Sequence, residues 1–108
     1  MKTYTLFRNK NGDPNVVFRR HYGTANFLDP GYKYINRSPD GFEWGYSGEG
    51  PAQLAFAILL DVLGVGRLVL AKTLYEKFKA AFLVGMDVDG GEISEIEVLK
   101  FIVDNMHE

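Results

Sequence analysis

The sequence contains no cysteine. Disulfide frameworks, zinc-thiolate sites and cysteine nucleophiles are therefore excluded. No apolar run reaches the roughly 18 residues of a membrane-spanning helix, so no membrane span is expected. The opening Met1-Lys2-Thr3-Tyr4 starts no apolar stretch of signal-peptide length, and a cytoplasmic location is expected. A basic surplus is also missing: the net charge is −2 over 108 residues. Binders of duplex DNA usually carry a strongly basic surface, so nucleic acid is not an expected partner. Only four prolines occur, and each falls at a turn or a helix start. No repeat, low-complexity segment or linker divides the chain, which reads as one domain over 1–108.

What is present suffices for one packed core, at 46% hydrophobic and 14% aromatic residues. The charge is unevenly spread. Residues 1–50 hold seven basic and five acidic side chains, and residues 51–108 hold five and nine. From Met86 onward seven acids face Lys100 alone.

Ten of the fifteen aromatic residues lie between Tyr4 and Tyr46, which marks the first half as sheet. Residues 3–8 and 15–22 flank a turn-forming segment, Asn9-Lys10-Asn11-Gly12-Asp13-Pro14, and predict a hairpin. On its second strand Val16, Phe18 and Tyr22 share one face, and Val17, Arg19 and His21 share the other. Turns at 29–31 and 38–41 bracket a third predicted strand, 32–37. The alternation of Phe42, Trp44 and Tyr46 predicts a short fourth.

Helical chemistry follows. Pro51 opens and Gly64 closes a stretch in which only Gln53 and Asp61 are polar, so a central buried helix is expected over 51–63. A second helix is predicted over 68–84, with Ala71, Leu74, Tyr75, Phe78 and Phe82 as its apolar stripe. Ser94 and Glu97 form a capping box, with Ile93 and Val98 spaced as a hydrophobic staple. Val98, Leu99, Phe101 and Ile102 are the expected buried side of this third helix. The fold class is α+β: an N-terminal antiparallel sheet of three or four strands packed on about three C-terminal helices.

Three segments invite chemistry. The first has glycines at 41, 45, 48 and 50 and leads into a helix N-terminus, an arrangement that suits phosphate. It matches neither a Walker loop nor a dinucleotide fingerprint. Pro51 removes an amide, and Glu43 and Glu49 would repel an anion. The plainer reading is a turn from sheet to helix, anchored by Phe42, Trp44 and Tyr46, with Glu43 paired to Arg19 or Arg37.

The same stretch, S-P-D-G-F-E-W-G-Y-S-G-E-G-P-A-Q-L-A-F-A-I-L-L over 38–60, resembles the hallmark of a small family of uncharacterised phage, plasmid, bacterial and archaeal proteins, a domain of unknown function. His21-Tyr22-Gly23 and the region of Tyr34 sit where related features are expected. The resemblance implies a compact intracellular domain encoded on a mobile element. It brings no activity and no catalytic residue.

The second segment, Asp87 to Glu97, resembles an EF-hand loop shortened by one residue and lacking its fifth-position ligand. An acidic turn before a capped helix is the plainer reading, and no metal site is expected. The third is the polar group Arg8, Arg19, Arg20, His21 and Arg37. Arg19 and His21 share a strand face that would grip a carboxylate or phosphate, and with Glu43 nearby His21 would act as a base. Stacking of single-stranded bases on the aromatic sheet is disfavoured by the missing RNP consensus.

Two functions follow. One is a non-catalytic binding protein, a mobile-element accessory that engages a host protein. The other is a small enzyme or nucleotide-binding domain using residues 41–50 with Arg19, His21 and Glu43. Ligand or partner contact is expected at Arg19, His21, Arg37, Glu43, Tyr46 and Glu49, with no cofactor. The two functions differ in whether Arg19, His21 and Glu43 converge on one pocket.

Overall fold

The structure, a computed structural model, describes residues 1–106. Four antiparallel strands, β1 (Thr3–Phe7), β2 (Val16–His21), β3 (Thr24–Phe27) and β4 (Gly90–Ser94), form one sheet in the order β3-β2-β1-β4. The predicted hairpin is β1–β2. Tyr4 lies opposite Arg19 on one side and Ile93 on the other, and Leu6 opposite Val17 and Gly91. Tyr4, Leu6, Val17 and Ile93 are buried against the helices. Alternation sends Thr5, Phe18, Phe27 and Glu92 to the opposite face.

The β2–β3 connection is a two-residue turn, with Tyr22 at φ 51° and Gly23 at φ 79°. Positive φ at both central residues matches the right-handed twist of a hairpin. Tyr22 therefore leaves the strand and does not share a sheet face with Val16 and Phe18.

The three helices are α1 (Glu49–Leu63), α2 (Leu68–Phe78) and α3 (Glu95–Asn105). Every residue of α1 from Gly50 to Leu59 is buried, as its nearly all-apolar sequence requires. Gly64 ends it at φ 84° and donates to the Leu60 carbonyl at 2.7 Å. The second predicted helix is α2 extended by a π-helical turn, Lys79–Leu83. Ser94 and Glu97 make the capping box in both directions, and Ile93 and Val98 are both buried. One core joins sheet and helices through Tyr4, Trp44, Phe56, Phe78 and Phe101. Among the described residues no single helix is long and apolar enough to cross a membrane.

Three predictions need correction. Residues 32–37 and 42–46 are not strands. The backbone of 32–37 is satisfied locally, as where Tyr34 and Ile35 donate to the Gly31 carbonyl, or by the Gln53 side chain, and that of 42–46 bonds to distant groups, as where Gly45 N donates to the Leu83 carbonyl. Phe42 and Trp44 do enter the core, but from a loop, and Tyr46 is turned outward. The third and fourth strands are Thr24–Phe27 and Gly90–Ser94 instead. Gly90, at φ 114°, passes so close to β1 that an added Cβ would lie 2.2 Å from the Leu6 carbonyl oxygen. Leu99 is exposed, because the buried arc of α3 is filled by Val98, Phe101 and Ile102.

Candidate functional site

Arg19, His21 and Glu43 do not converge. Arg19 Nε donates to Asp61 Oδ1 at 2.9 Å and Oδ2 at 2.8 Å. Asp61 also accepts the Tyr4 hydroxyl at 2.6 Å and lies 3.4 Å from Lys2 Nζ. Burial, together with the bond to Asp61, pushes the Tyr4 phenol well above its ordinary range, so it remains a donor at neutral pH. His21 stands beside Tyr22, ring centroids 4.3 Å apart, with a buried Nδ1 that has no hydrogen-bond partner among the described residues. Glu43 lies elsewhere, gripped by Arg8 at 2.8 and 3.3 Å. His21 and Glu43 are therefore in separate places and do not form a base–acid pair.

The Gly-rich segment forms a clamp. Arg8 sits over the Trp44 ring at 4.9 Å and also donates to the Val88 carbonyl. Trp44 Nε1 donates to that carbonyl at 3.1 Å, and Gly45 N to the Leu83 carbonyl at 2.8 Å. These contacts fasten the 28–48 loop to the C-terminal half. The glycines allow close approach rather than a phosphate cradle: a Cβ on Gly50 would fall 2.6 Å from Glu43 Cβ. The adjacent cleft, about 350 Å³, is lined by Asp13, Asp40 and Glu43 against Arg8, a charge balance unsuited to an anion.

Arg37 and Glu49 meet in a third place. Arg37 bonds Glu49 and the Tyr75 hydroxyl, and donates to Glu76 at 2.7 Å, which Lys79 also reaches at 2.9 Å. The bond from Arg37 holds the Glu49 carboxyl below its ordinary value, and Lys79 then Arg37 do the same for Glu76. Lowered carboxylates add stability above the unfolded value, about 4.3, which is lost as pH falls through the lowered folded values. Arg37→Leu is therefore expected to unfold at lower urea than the wild type at neutral pH, with the difference shrinking in acid. A difference unchanged across that range would show that the pairs contribute nothing. Tyr46 lines the acidic cleft with Glu43, apart from this network.

Asp87, Asp89 and Glu97 are not gathered either. The strand Gly90–Ser94 runs between them, and Glu97 is committed to the cap on Ser94. Among the described residues no three acidic or histidine groups are placed to hold a metal.

Asp61 was not among the residues expected to make contacts, and Arg8 was named only as one of a polar group, without its partners. Asp61 had a signal, since the lone charge of an apolar helix must find a partner. The partners of Arg8 had none, because they are 35 and 80 residues away.

One surface remains without a structural task. The sheet face opposite the helices carries Phe7, 55% exposed, and Phe27, 71% exposed, with Phe18 stacked on Phe27 at 5.4 Å. Arg20 lies on the same face, opposite Ala25 and Thr3. All four residues of the edge strand β3 are exposed.

Comparison with known proteins gives a match to the profile of a family of unknown function (DUF6166), over residues 4–104. None of the curated proteins and none of the solved structures compared matches the chain.

Proposed function

The chain belongs to DUF6166, a family of unknown function, and from that premise we propose that it is a non-catalytic binding protein that engages a protein partner across the open face of its sheet. The observation that carries this reading is the group Phe7, Phe18 and Phe27 on the face no helix covers. Contiguous exposed apolar surface marks interaction sites, and aromatic side chains are enriched there. β3 adds an edge whose outward backbone groups have no strand to pair with among the described residues, as an added partner strand requires. Arg20 beside the rings favours a partner with an acidic residue next to its apolar ones. Glu92 offsets Arg20 on the same face, which disfavours a nucleic acid. That the partner is a host protein met by a mobile-element product rests on the sequence resemblance alone.

The test is capture from native lysate with wild type and with Phe7→Ser/Phe27→Ser. The double variant is expected to change stability by about half a kcal/mol or less per site, because both rings are exposed. A protein retained by wild type and lost by this variant is the expected result. A partner retained equally by both would place the contact elsewhere and sink the proposal.

A further inference from the structure

α3, together with its C-cap residue Met106, presents a second apolar stripe, distinct from its buried side. Ile96 is 61% exposed, Leu99 39%, Val103 56% and Met106 48%. Their spacings are three, four and three residues, the a/d alternation of a coiled-coil seam. At about 100° per residue they fall within an arc of roughly 80°, next to the arc filled by Val98, Phe101 and Ile102. Glu95 N donates to the Lys2 carbonyl at 2.9 Å, so the exposed Met1 lies near the head of the stripe.

The flanking charges indicate what covers it. With Ile96 and Val103 at a, and Leu99 and Met106 at d, Glu95 falls at g and Lys100 at e. In a parallel pair a g residue meets the e residue five positions further along the other helix. Glu95 then faces Lys100 of a second copy, and two-fold symmetry makes the contact twice. Antiparallel pairing would set glutamate against glutamate and lysine against lysine. Glu95 Oε1 accepts the Lys2 amide at 2.7 Å, while Oε2 has no hydrogen-bond partner among the described residues.

We propose that this face joins two copies of the chain in a parallel, two-fold dimer through α3. The helix has 11 residues, about 16 Å of seam at 1.5 Å per residue. Four side chains cover less than the roughly 800 Å² per partner of a stable interface, so the dimer is weak. It uses a different surface from the open sheet, and the two proposals stand or fall separately.

Sedimentation equilibrium from micromolar to millimolar concentration tests it. The mass is expected to rise from 12.2 kDa toward twice that value. Ile96→Glu/Val103→Glu is expected to stay monomeric with an unchanged melting temperature. Lys100→Glu is expected to weaken the dimer about tenfold at low salt, less at high salt. A wild type that is monomeric at millimolar concentration overturns the dimer. So does Ile96→Glu/Val103→Glu associating as tightly as wild type. A Lys100→Glu dimer as tight as wild type, or tighter, overturns the parallel arrangement.

Discussion

Replacing Gln53 by Leu is expected to destabilise the protein by about 3–5 kcal/mol, because leucine is one heavy atom shorter and carries no polar group. Gln53 is the one fully buried polar residue among those described, 0% exposed in the middle of α1. Its Nε2 donates to the Pro30 carbonyl at 2.6 Å and the Ile35 carbonyl at 3.0 Å. Its Oε1 accepts the Arg37 amide at 2.6 Å and the Ser38 amide at 3.2 Å. Two donors and two lone pairs are the whole capacity of an amide side chain, so every bond it can make is made. Leucine would leave four backbone groups of the 30–38 loop without those partners, each costing about 1–3 kcal/mol if water cannot reach it. Part of that loss is recovered when the loop opens to solvent. Hydrogen exchange should therefore show the Arg37 and Ser38 amides losing protection before the rest of the chain. Gln53→Glu keeps the acceptors but sets a buried carboxylate against the Pro30 and Ile35 carbonyls, so at neutral pH a loss at least as large as that of the Leu variant is expected. A Leu variant within about 1 kcal/mol of wild type would mean that the loop has other anchors.

Trp44→Ala is expected to cost about 3–5 kcal/mol in chemical denaturation. The ring is 1% exposed, takes the Arg8 guanidinium on its face and donates to Val88. Removing it leaves a cavity and loosens the seam between the 28–48 loop and the C-terminal half. Glu43→Gln is expected to cost about 1 kcal/mol or less, since the pair with Arg8 is partly solvated. Arg8 would also keep its bond to Val88. The reverse pattern, Trp44→Ala folding normally while Glu43→Gln loses its partner in capture, would make the segment a binding site and refute its structural role.

Local patterns in the sequence that matched local physics were read correctly. α1 follows from an apolar run between Pro51 and Gly64, and the start of α3 from Ser94 and Glu97, because caps and periodicity act within a turn or two. The alternation of Phe42, Trp44 and Tyr46 misled for the same reason. It gives sidedness without saying whether a neighbouring strand exists. Tyr46 at the surface and Gly45 bonded to Leu83 show a loop held by side chains and turns.

The candidate site residues were legible as polar groups, but their partners were not. Arg19 was expected near Glu43 and is bound to Asp61; Glu43 was expected near Arg19 or Arg37 and is bound to Arg8. The open aromatic face was visible only as an excess of rings in the first half. Which rings face solvent depends on register and on which side the helices pack, and Phe18 and Val17 exchange fates with a slip of one residue.

By itself the sequence determined the α+β class, the first hairpin, the buried central helix and the capped last helix, since each rests on contacts between residues close in the chain. Only the tertiary structure decided that Gly90–Ser94 joins the sheet beside β1, that Gln53 holds the 30–38 loop, and that Arg8 and Asp61 anchor the ion pairs. Those contacts cross tens of residues, and their energies exist only once the core has brought the distant segments together.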